Sequence, residues 1–71
     1  MKEYRTTEQW NEICDSAING NWTQAGKECV EYGFWANDMI KAYEEESNGL
    51  EATDLALLSE IAMQERAKDD T

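Results

Sequence analysis

The sequence predicts an all-α fold, on three observations. Proline is absent, while Ala, Glu, Leu, Met, Gln and Lys, all good helix formers, are common. No run alternates β-branched and polar residues, so a sheet has nothing to build on. Apolar residues recur instead at steps of three and four. Between Asn21 and Ser47 the stripe is Trp22, Gly26, Cys29, Gly33, Ala36, Ile40 and Tyr43. Its small middle lets a neighbouring backbone come close, which marks a central helix with another element laid across it.

Residues Met1 to Arg5 read as an arm carrying the charges of Lys2 and Arg5. Thr6-Thr7-Glu8-Gln9 opens the first helix, with Thr6 at the N-cap and Gln9 in the capping-box position. Trp10, Ile13, Cys14, Ala17 and Ile18 share one face; Glu8, Glu12 and Asp15 share the other. Asn19-Gly20 ends this helix, the glycine supplying the left-handed residue of a C-cap. Asn21 is placed to cap the next one, with Trp22 and Thr23 in its first turn.

The extent of that second helix turns on Gly33. Tyr32-Gly33-Phe34 has the form of a Schellman stop. Against a stop, the apolar spacing stays in phase through Gly33, and no capping residue at positions 34–36 restarts a helix. Two interior glycines cost about 1 kcal/mol each relative to alanine, which buried packing can offset. The balance favours one long helix bent at Gly33. The alternative is two helices meeting there, with Asn37-Asp38 as a late cap.

Glu44-Glu45-Glu46 opposes the dipole of a helix C-terminus. Ser47-Asn48-Gly49 is nevertheless a clear turn, with Leu50 packing just after it. Thr53-Asp54 is expected to cap the last helix, with Leu55, Leu58, Ile61 and Ala62 on its inner face. Leu57 and Met63 lie off that stripe, and such excess apolar surface marks interfaces. Arg66 and Lys68 close the helix with the charge sign its dipole prefers. Residues 69–71 read as a frayed tail.

The expected architecture is therefore a small three-helix bundle, or four helices if the central one breaks at Gly33. It forms a single domain over residues 1–71. A chain of this length is near the lower limit for a self-sufficient core, so a symmetric homodimer is a natural remedy.

Charge and composition narrow the function. There are 16 Asp and Glu against 6 Lys and Arg, a formal net charge of -10. A field of that sign repels phosphate backbones and anionic membranes, which argues against direct nucleic-acid or membrane binding. No apolar run follows the N-terminus and none is long enough to span a bilayer, so the cytoplasm is the expected compartment. Cys14 and Cys29 are then expected as thiols on apolar helix faces.

Histidine is absent. That removes the commonest general base and metal ligand, and every Ser-His or Cys-His arrangement. The four glycines are scattered singly, so no phosphate loop exists. A paired-carboxylate mechanism needs a pocket that a bundle this small hardly provides. No catalytic, cofactor-binding or metal-ligating set is expected. Glu44, Glu45, Glu46, Glu51 and Asp54 crowd around the Ser47–Gly49 turn. They lack the EF-hand spacing, and consecutive helical residues diverge, so a solvated acidic face is the better account. A helix-turn-helix around Gly33 would offer bases only Asn37 and Lys41 among acids.

What remains is acidic surface. On a continuous central helix Glu28, Glu31, Asp38 and Glu45 form one row, at axial steps of about 4.5, 10.5 and 10.5 Å. Glu8, Glu12 and Asp15 form a second. Carboxylates on a rigid frame can stand in for phosphates in the basic channel of a nucleic-acid-handling protein. The plainer reading of the same acids is solubility. The aromatics are mostly core, but Phe34 and Trp35 are adjacent and diverge by about 100° on a helix, so one of them can anchor an interface. The expected partner-binding residues are thus these two rows, the acids around the turn, and apolar Phe34, Trp35, Leu57 and Met63. The expected function is an acidic inhibitor or modulator of a protein with a basic surface, with a structural homo-oligomer as the alternative. The composition is similar to that of small acidic helical proteins of bacteria and their phages, and no residue pattern points to a family.

Overall fold

A computed structural model describes residues 5–69, which fold into α1 (Thr7–Ile18), α2 (Trp22–Glu31), α3 (Ala36–Glu45) and α4 (Ala52–Asp69). There is no strand among the described residues. Of the arm expected over residues 1–5, only Arg5 is described. The tail expected over 69–71 falls outside the described residues except for Asp69, which still belongs to α4.

α1 begins as its sequence dictates. The Gln9 amide donates to the Thr6 hydroxyl at 3.1 Å, and the Thr6 amide donates to Gln9 Oε1 at 3.1 Å. It ends in a Schellman motif: the Asn21 amide reaches the Ser16 carbonyl at 2.8 Å, and the Gly20 amide reaches that of Ala17 at 3.0 Å. Asn21 then occupies the N-cap of α2, but its side chain makes no capping bond.

The long helix expected through Gly33 does not form. α2 closes on a second Schellman motif, in which the Phe34 amide reaches Cys29 O at 2.8 Å and the Gly33 amide reaches Val30 O at 3.2 Å. Gly33 has φ 77°, a conformation that costs an L-residue about 1–2 kcal/mol and glycine almost nothing. The motif is locked by Phe34, which is buried against Trp10 with ring centroids 5.7 Å apart. The in-phase spacing beyond Gly33 carries little core, because Ala36 and Ile40 are exposed and only Tyr43 packs against it, half-buried.

The restart also needs no Ser, Thr, Asn or Asp at the N-cap. Trp35 holds that position, and Asp38, three residues on, accepts its backbone N–H at 3.2 Å. α4 starts the same way. The cap expected at Thr53-Asp54 lies earlier: the helix begins at Ala52, and Asp54 accepts the Glu51 N–H at 3.1 Å. Between α3 and α4, Ser47 O accepts the Leu50 N–H at 3.0 Å. Asn48 and Gly49 both have positive φ, 51° and 91°, as in a type I′ turn.

α2 is the central element, packed against both α1 and α4, while α3 lies on α4. The close approach expected along the small stripe occurs at Gly26. A Cβ there would lie 2.5 Å from Ile61 Cγ2 and 3.4 Å from the Ile61 carbonyl carbon, so α4 is the helix laid across. The buried core gathers Trp10, Ile13, Cys14 and Ala17 from α1, Ala25 and Cys29 from α2, Met39 from α3, and Leu55, Leu58 and Ala62 from α4, together with Phe34 and Leu50. Ile18, expected on the inner face of α1, is exposed beside Gly49. Ile61 is half-buried.

Candidate protein-binding surface

The α1–α2 hairpin brings two of the acidic groups together. The Ser16 hydroxyl donates to Glu28 Oε1 at 2.5 Å, and the Tyr32 hydroxyl donates to Glu12 Oε2 at 2.7 Å. Four residues back along α1 is four residues on along α2, as antiparallel helices require. Both bonds therefore lie on one seam, a turn apart. Glu12 from the first row and Glu28 and Glu31 from the second now share it.

The electrostatics record the crowding. Burial holds the Glu28 carboxyl above the usual range; the Ser16 hydroxyl opposes this, and the Glu12 and Glu31 charges add to it. The Tyr32 phenol is pushed up to about 12, first by its hydrogen bond to Glu12 and further by the surrounding carboxylates. Each effect disfavours one more negative charge on the seam. Glu8 and Asp15 are exposed on α1.

The other half of the expected four-carboxylate row goes elsewhere. With the helix broken at Gly33, Asp38 and Glu45 line a shallow groove with Arg5, Lys41 and Ala42. Arg5 pairs with Asp38 at 3.6 Å. The Arg5 guanidinium is thus spent on an α3 acid, whereas Glu28 and Glu12 of the seam accept from hydroxyl donors. Glu44 and Glu46 are exposed at the end of α3, where the Glu46 carbonyl accepts the Trp10 indole N–H at 2.8 Å. Glu51 and Asp54 serve the start of α4. Among the described residues no three acidic or thiol side chains converge to hold a metal ion.

The apolar candidates separate sharply. Phe34 is 2% exposed and belongs to the core, so it is not available to a partner. Trp35 is 61% exposed, Met63 64% and Leu57 42%. Leu57 and Met63 are six residues apart, about 120° around α4, and so do not form one face.

Arg66 is the residue that sequence reasoning missed. It was legible only as a dipole-matching cation. In the fold its guanidinium donates to the Phe34 carbonyl and lies over the Trp35 ring, 3.9 Å from the centroid. No local sequence signal links residue 66 to residues 34 and 35; the link exists because α4 returns past the α2–α3 junction.

Cys14 and Cys29 are free and buried, and burial is the main cause that pushes both thiols up to about 12. Cys29 Sγ rests 3.5 Å from Met39 Sδ, in a core contact. No helix among the described residues is long and apolar enough to cross a membrane. The chain matches no known family model, no curated protein and no solved structure.

Proposed function

We propose that this protein is a non-catalytic binding module whose acidic surface docks on a basic surface of a nucleic-acid-handling protein, acting as an inhibitor or modulator in the cytoplasm. The observation that carries this reading is the α1–α2 seam. Glu12 and Glu28 each accept a hydroxyl across one seam, with Glu31 close by, and burial together with the neighbouring carboxylates raises the Glu28 pKa. Such an arrangement costs free energy in the isolated protein, and a partner's cations relieve that cost on binding. The mimicry is of phosphate charge and not of phosphate spacing, since the regular four-carboxylate row is divided at Gly33.

The test is affinity capture of partners followed by washes of rising salt, with a variant carrying Glu12→Gln, Glu28→Gln and Glu31→Gln alongside. Release by salt together with weaker capture by the variant supports the proposal. A partner held equally by both proteins at low and high salt excludes it.

A second reading, a small structural homo-oligomer, is favoured by the exposure of Leu57 and Met63. Their angular separation means that each would meet a different neighbour. Sedimentation at micromolar concentration separates the two readings, because a strict monomer removes the oligomer.

A further inference from the structure

We propose that Trp35 is the anchor of the partner-binding surface, and that its solvent-facing indole face takes a guanidinium group from an arginine of the basic partner. The inference rests on the acidic-module reading above and adds to it the residue type recognised.

Trp35 is exposed yet held from several directions. Its backbone N–H is fixed by Asp38 Oδ2 at 3.2 Å. The peptide before it is fixed by Arg66, which donates to the Phe34 carbonyl. Phe34 itself is buried in the core, so the chain entering Trp35 is anchored. One face of the indole is already covered by the Arg66 guanidinium, 3.9 Å from the ring centroid, and the residue nevertheless remains 61% exposed. A large aromatic whose position is set before binding loses little conformational entropy when it meets a partner.

The kind of partner follows from charge. Trp35 stands four residues after Glu31 and three before Asp38, between the seam acids of α2 and the groove acids of α3, in a chain of net charge -10. A cation is drawn to this surface, and the negative face of an indole attracts cations as well. Arginine suits it better than lysine: its plane stacks on a ring and its fork pairs with carboxylates through two bonds, while an ammonium meets both only as a point charge. The stack with Arg66 shows that the indole can carry a guanidinium in this fold.

The full chain is titrated with a nine-arginine peptide and, separately, a nine-lysine peptide, following the indole N–H resonances and the affinity. The expected result is a shift of the Trp35 resonance with the arginine peptide and tighter binding of arginine over lysine by about two- to fivefold, the value of one exposed cation–π contact. Trp35→Leu keeps apolar area and loses that preference; Trp35→Phe keeps a ring face and retains part of it. The Glu12→Gln, Glu28→Gln, Glu31→Gln variant weakens both peptides alike. If both peptides bind but Trp35→Leu preserves the arginine preference, the anchor is overturned and the acidic-module reading stands. If neither peptide binds at low salt, that reading fails and the anchor with it.

Discussion

Glu28 shows at the scale of one residue what the acidic surface costs. Its carboxyl is partly buried, accepts the Ser16 hydroxyl, and feels Glu12 and Glu31. Because its folded pKa is raised, the folded state holds that proton more tightly than the unfolded chain does. The protein therefore gains stability as pH falls through the folded value, the gain being complete below the ordinary glutamate pKa. The same contribution is lost as pH rises above the folded value. Glu28→Gln keeps an acceptor for Ser16 and removes the charge. At pH 7 it is expected to raise the unfolding free energy by about 0.3–0.5 kcal/mol, a small figure because solvent screens the seam. The advantage is expected to shrink as the pH is lowered and wild-type Glu28 takes up its proton. Urea titrations of both proteins between pH 4 and pH 7 check this. Little of that environment was legible in the sequence. In the sequence Glu28 is one acid in a row, because Ser16 and Tyr32 become relevant only once α1 and α2 are paired in a definite register.

At the scale of elements, two glycines divide the work. Gly26 lets α4 cross α2 so closely that the missing Cβ is replaced by the Ile61 methyl. Gly26→Ala gains about 1 kcal/mol of helix propensity, but overpacking of this kind costs about 1–3 kcal/mol. The clash is with a methyl on the branched carbon of Ile61, close to the backbone, whereas the Ile61 backbone lies at an ordinary contact distance. A net loss of about 1–2 kcal/mol in urea unfolding is expected. Ile61→Ala in the same chain relieves the clash, so the double variant loses less than the sum of the two. The crossing could be read from the small residues at helical spacing. The break at Gly33 was visible too, as Tyr32-Gly33-Phe34, and was outweighed by apolar phase. Phase was the weaker guide because Ala36 and Ile40 can continue a pattern without being buried. A missing N-cap was weak evidence as well, since Asp38 and Asp54 cap their helices from the third position.

At the scale of the molecule, four helices share one apolar core, and the acids are distributed unevenly around it. Asp38 of α3 pairs with Arg5, whereas Glu12 and Glu28 of the α1–α2 seam accept from two hydroxyl donors. The all-helical class and much of the core were legible from periodicity. The seam was not, because it joins residues of two helices whose facing sides the sequence does not specify. Arg66 belongs to the same category, tying the end of α4 to the α2–α3 junction across 32 residues. The net charge of -10 is a property of the composition; the meeting of Glu12 and Glu28 on one seam is a property of the fold, and the proposed function depends on the second. The salt dependence of partner affinity, compared between the wild-type protein and the Glu12→Gln, Glu28→Gln, Glu31→Gln variant, tests this most directly. A steep fall in wild-type affinity with salt, with a distinctly shallower slope for the variant, is predicted; equal slopes for the two proteins would contradict the account.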